Sequence, residues 1–155
     1  RRTLVRLNMQ SRENENKSVF DPESVEYCIK ICAGIFIEAE KRNSPCAFAA
    51  NCNVGGSMCY IPDGCGKSHT YRLMYALAGL PLGNAARFDD FLSASDFIDE
   101  YNDIIIVCTH ISAGTAQLSR EPSVRIIAVT AEGTDRLPRE AEVTIIKHSE
   151  RTDRS

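Results

Sequence analysis

The chain has 155 residues, of which 43% are hydrophobic, enough for one domain that buries about two thirds of its unfolded surface. Its 18 basic and 21 acidic residues give a formal net charge of -3, spread along the chain without the basic stripe of a nucleic-acid binder. No apolar run approaches the roughly 18 residues of a membrane span, so neither nucleic acid nor direct membrane contact is expected of this piece. The chain opens on Arg1-Arg2-Thr3 without an initiator Met. We therefore expect Arg1 to be an internal position in a longer protein, one in which upstream membrane helices are allowed.

Thr3 to Met9 reads as a first strand, followed by a polar loop through Lys17. Asp21 is placed to cap a long helix with Pro22 at its first position, and Val25, Cys28, Cys32, Ile35, Phe36 and Ala39 recur on one face. Ile29, Ile31 and Ile37 widen that face, as in a helix packed on a sheet and covered by a neighbour. Pro45 to Asn53 and Ser57 to Ile61, joined by Gly55-Gly56, read as an antiparallel hairpin. Helices are expected from Ser68 to Ala78, stopped by Gly79-Leu80-Pro81, and from Phe88 to Ile98.

The run Asp103-Ile104-Ile105-Ile106-Val107-Cys108 is mostly β-branched and stops at Thr109-His110. A strand buried on both faces of a parallel sheet has this composition, and in open α/β sheets ligands bind beyond the carboxyl ends of such strands. A short helix opened by Ser112 follows, then strands at Val124 to Val129 and Val143 to Ile146. Residues 1–146 are thus one domain and 147–155 a polar tail. Strand and helix alternation with one early hairpin predicts an α/β three-layer sandwich, Rossmann-like, with a mostly parallel sheet and one antiparallel edge strand.

Seven cysteines, an odd number lying mostly inside apolar periodic segments, fit buried thiols better than a disulfide framework. Cys52, Cys59 and Cys65 offer no C-x-x-C pair for zinc. Gly66-Lys67-Ser68 ends like a phosphate-binding loop, whose backbone N–H groups, ammonium and hydroxyl would cradle phosphates. That pattern also wants a Gly where Ile61 stands, and a metal-holding Asp where the later strand ends in Thr109-His110. A turn and helix start account for it, and nucleotide or phosphate binding is kept as the alternative function. For nucleophilic catalysis Cys108 is expected to be buried, and Ser112 reads as a cap. Asp89-Asp90 and Asp99-Glu100 read as solvated acidic pairs, and Asp63, Glu132 and Asp135 as loop residues.

In the order of its elements the chain resembles the von Willebrand factor A fold, and in detail the carboxyl-terminal part of the bacterial "domain of unknown function 58" family. The features that carry this are the degenerate first strand end, Asp21-Pro22-Glu23-Ser24-Val25-Glu26 leading into the long helix, the hairpin, the Leu73 to Leu80 helix, the Ile-Ile-Ile-Val-Cys-Thr strand end and the Val124 strand. Metal-binding members of the A-fold class carry D-x-S-x-S after the first strand, a Thr after the second helix and an Asp after the fourth strand. Here that first motif falls on Asn8-Met9-Gln10-Ser11-Arg12, and Thr109-His110 stands nearest the later ligands. Carboxylates are missing where magnesium would need them, so no metal and no other cofactor is expected.

The resemblance implies a cytoplasmic module without catalytic activity of its own, often tethered to the inner face of the membrane by upstream helices. Its implied role is protein binding beside a MoxR-type AAA ATPase. The expected partner surface is a loop crest of Asn8 to Arg12, Gly83 to Arg87 and Thr109 to Gly114, with Asn8, Gln10, Ser11, Arg12, Arg87, Thr109 and His110 as binding residues.

Overall fold

The computed structural model describes residues 2–10, 12–14, 17–19, 22–82, 85–95, 100–129, 137, 139 and 141–146. Strand β1 (Thr3–Leu7) is followed by two three-residue strands, β2 (Arg12–Asn14) and β3 (Lys17–Val19), and by helix α1 (Pro22–Lys41). The hairpin β4 (Cys46–Val54) and β5 (Ser57–Gly64) leads into α2 (Lys67–Ala78) and α3 (Phe88–Ala94). Strand β6 (Asp103–Cys108), helix α4 (Ala113–Leu118), β7 (Val124–Val129) and β8 (Glu142–Ile146) complete the order.

Six strands form one sheet in the order β5-β4-β1-β6-β7-β8, parallel throughout except for the edge pair β4–β5. The expected architecture is therefore present. Every residue of β1 and β6 is buried, as a central strand covered on both faces must be. Successive strand residues alternate between two cores. Val5, Leu7, Phe48, Ala50, Ile105 and Val107 face α1 and α2, where Phe36 meets Phe48 edge-on at a centroid distance of 5.5 Å. Leu4, Ala47, Ala49, Ile104, Ile106 and Cys108 face Phe88 and Phe91 of α3 and Ala116 of α4.

Several boundaries differ from the sequence reading. The polar stretch after β1 contains the antiparallel pair β2–β3, too short to show a period. Strand β5 runs on to Gly64, with Pro62 and Asp63 inside it. Pro is tolerated there because the strand lies at the sheet edge. Asp63 is thus a strand residue, paired with Arg2 at 2.9 Å. Ile37, expected under a neighbour, is exposed. The Asp21 cap, Asp99, Glu132, Asp135 and the tail from 147 lie outside the described residues.

Candidate functional site

Because β1, β4 and β6 are parallel, their carboxyl ends share one end of the sheet, and the strand order reverses between β1 and β6. The expected crest is built there from β1 outward. Asn8 continues the ladder by donating its N–H to the Val107 carbonyl at 2.9 Å. Its side-chain Oδ1 turns back to accept from the Gln10 N–H at 2.9 Å, a local Asx-type bond that ends the strand.

The residue that ties the crest together is Asn51. Between the register pairs Ala50↔Cys59 and Asn53↔Met58, Asn51 and Cys52 stand unmatched in a bulge of β4, which frees Asn51 to reach across to β1. Its Oδ1 accepts from the Met9 N–H at 2.7 Å. Its Nδ2 donates to Asn8 Oδ1 at 3.2 Å and to the Ala86 carbonyl at 2.7 Å. The Asn51 carbonyl then accepts from the Ala86 N–H at 2.8 Å. Gln10 makes the matching tie, its Oε1 accepting from the Phe88 N–H at 2.9 Å where α3 begins.

Asn8, Gln10, Thr109 and His110 are all buried. Among the crest residues named from sequence, Arg87 is exposed, Arg12 is described as backbone of β2, and Ser11 and Gly83 lie outside the described residues. The amide oxygens of Asn8 and Gln10 are already engaged as acceptors. What remains on these two side chains is Asn8 Nδ2 and Gln10 Nε2, buried donors without an acceptor among the described residues. Within those residues no three His, Cys, Asp or Glu side chains gather closely enough to hold a metal ion.

A second clasp closes the other side of the crest. Ser112 caps α4, its Oγ accepting from the Thr115 N–H at 3.1 Å, as expected of a Ser at this position. The same hydroxyl donates to Asp89 Oδ1 at 2.6 Å, and the Gly114 N–H approaches both Asp89 carboxylate oxygens at 3.2 Å. Asp89, read from sequence as solvated, thus joins α3 to α4. Gly114 permits the approach, since a Cβ there would lie 2.5 Å from Asp89 Oδ1.

Sequence reasoning also passed over Arg6 on β1, the largest fully buried side chain among the described residues. Its Nη2 donates to the Ser95 carbonyl at 3.0 Å and to Ser95 Oγ at 3.2 Å, and its guanidinium stands 5.7 Å from the Phe91 ring centre. The available signal was a charge inside Leu4-Val5-Arg6-Leu7, as Asn51 is a polar break inside Ala49-Ala50-Asn51-Cys52.

The phosphate-loop residues lie elsewhere. Strand β5 runs antiparallel, so Gly64 pairs with Cys46 at the opposite end of the sheet. Gly66, at φ 89°, is the cap residue of α2, and Lys67 and Ser68 are exposed. Nearby, Nε2 of His69 hydrogen-bonds the Cys46 carbonyl at 2.7 Å. Among the described residues no helix is long and apolar enough to cross a membrane.

No family model and no curated protein matches the chain. In structure it is similar to the SpRpn10 VWA domain, solved by crystallography, with a TM-score of 0.50 at 11% identity, covering 93% of this chain and 85% of that one. At that identity the likeness speaks to fold, and the chain has a von Willebrand factor A-like α/β fold.

Proposed function

We propose that this domain is a protein-binding module that works through its crest without a metal ion and without catalysis of its own. The observation that carries this reading is the polar chemistry of the crest. Asn8 and Gln10 spend their oxygens on backbone and amide donors and keep only N–H groups in reserve. A cation needs oxygen lone pairs and at least one carboxylate, so the residues present do not fit magnesium. A framework of amide bonds instead holds the loops in one shape, and preformed loops on a rigid sheet suit recognition of another protein. In this reading the buried Asn8, Gln10, Thr109 and His110 set the crest's shape, while Arg87, with Ser11 and Arg12, meets the partner.

The resemblance read from the sequence to the domain of unknown function 58 family, which no family model matches, is what points to a MoxR-type AAA ATPase as that partner. It also supports a place on the inner face of the membrane. The test is calorimetric titration of the host's MoxR-type ATPase with this domain, in magnesium and in EDTA. Equal affinity in both is expected, with at least a tenfold loss on Arg12→Glu together with Arg87→Glu, the penalty of opposed rim charges. Unchanged binding by that double variant would remove the crest from the interface, and loss in EDTA would restore a metal.

The nucleotide alternative predicts that Mg-ATP well above its dissociation constant raises the melting temperature by mass action. Because the turn at Gly66 stands at the foot of the sheet, away from the strand-order reversal where such ligands bind, no shift is expected. A Lys67→Ala variant identifies the source of any shift that occurs.

A further inference from the structure

We propose that the outer face of α2, carrying Tyr71 and Tyr75 beside Lys67 and Arg72, is a second docking surface that receives an acidic, partly apolar segment of another protein. Leu73 and Leu77 turn inward to the core shared with α1, so the residues two positions before each of them lie on the opposite side of the helix. There Tyr71 is 69% and Tyr75 83% exposed, one helical turn apart. Lys67 extends the same stripe a turn earlier and Ala78 a turn later, while Arg72 flanks it, and all three are exposed. Single exposed apolar residues are ordinary on a protein surface. Two phenol rings aligned on one ridge with two cations are instead the composition of an interface centre, where Tyr and Arg are enriched.

The charge of the ridge decides the chemistry of the partner. No Asp or Glu occurs between Asp63 and Asp89, whereas Lys67, Arg72 and Arg87 do, in a chain whose formal net charge is -3. Asp63 is already taken by Arg2 at 2.9 Å, and neither Lys67 nor Arg72 enters an ion pair among the described residues. Lys67 also begins α2, whose first turn holds no acidic residue, although the helix dipole favours negative charge at that end. The helix thus forgoes local stability and keeps a basic face. A partner's carboxylates would meet these cations and the dipole together, and its apolar side chains would cover the rings. Nucleic acid fits less well, because two cations neutralise few phosphates and the chain is negative overall.

The position of α2 sets the size of the occupant. Strand β5 ends at the foot of the sheet, where Gly64 pairs with Cys46, and Ala86 is tied to Asn51 at the crest. With 12 residues, α2 therefore rises about 18 Å from foot toward crest, room for some three turns of a partner helix.

The experiment titrates the whole chain with four defined probes, followed by amide chemical shifts. They are a short helical peptide with leucine at every third or fourth position and glutamate on its flanks, its twin with lysine for glutamate, oligouridine, and vesicles of phosphatidylserine with phosphatidylcholine. Expected is binding of the glutamate peptide alone, with the shifts centred on α2 and an affinity that weakens at high salt, where screening shortens the reach of the charges. Tyr71→Ser with Tyr75→Ser, and separately Lys67→Glu with Arg72→Glu, are each expected to lower that affinity at least tenfold. All four side chains are exposed, so an unchanged melting temperature in both variants separates lost binding from lost folding. No binding of the glutamate peptide, equal binding of its lysine twin, or full affinity in either double variant overturns the surface. Preference for oligouridine or for vesicles overturns the choice of a protein partner. Arg12 and Arg87 stay in place throughout and no ATPase is present, so failure of the crest interface is recognised separately.

Discussion

Replacing Arg6 by Ala is expected to lower stability by about 3 to 5 kcal/mol, the range for emptying a large buried site, and to bring the melting temperature down by roughly 10 °C or more. Arg6 is 0% exposed in the middle of the central strand. Its loss leaves a void beneath Phe91 and strips the Ser95 carbonyl of its donor. Arg6→Met separates the two contributions because it restores most of the volume and none of the hydrogen bonds. It is expected to lose only about 1 to 3 kcal/mol, the cost of unsatisfied acceptors. Thermal unfolding followed by circular dichroism measures both. Equal losses would show that polar pairing, and not packing, keeps the arginine there.

Asn51→Ala is expected to cost about 1 to 3 kcal/mol, since it leaves the buried Met9 N–H without its acceptor and takes from the Asn8 oxygen one of its two donors, the Gln10 N–H remaining. The second effect is on recognition. With Ala86 no longer tied through the Asn51 side chain, the segment bearing Arg87 is held only by the Ala86 N–H on the Asn51 carbonyl and the Phe88 N–H on Gln10, and partner affinity is expected to fall about tenfold at temperatures where the domain remains folded. Asn51→Asp keeps the acceptor for Met9 but sets a carboxylate against Asn8 Oδ1 and the Ala86 carbonyl, so it is expected to be no better than Ala. Chemical denaturation gives the first quantity and calorimetric titration the second. A folded Asn51→Ala variant with full affinity would show that the crest does not need this tie.

Much of the fold was legible because its elements carry strong periods or uninterrupted apolar runs. The α1 face from Val25 to Phe36, the Ile104 run and the hairpin turn at Gly55-Gly56 each have one reading that satisfies both local propensity and burial. The crest was only half legible. Its place followed from the ends of β1 and β6, but the bonds that build it come from residues remote in sequence, Asn51 being 43 positions from Asn8 and Gln10 78 from Phe88. No pattern in one sequence announces that a β4 bulge will deliver an amide to the end of β1. Asp89 was misread for a related reason. It is acidic and near a helix start, and only the close approach of Gly114 shows what the carboxylate holds.

The central position of β1 also decides when the chain can fold. Its first neighbour, β4, begins 43 residues after Thr3, but its second, β6, supplies Asp103, whose carboxylate the Thr3 hydroxyl meets across a sequence separation of 100. A nascent chain leaving the ribosome therefore carries an apolar strand with one side unpaired until about two thirds of these 155 residues have emerged. Topologies dominated by such distant pairings fold late and slowly. During synthesis the open side of β1 is thus the surface most exposed to chaperone capture or to pairing with another chain.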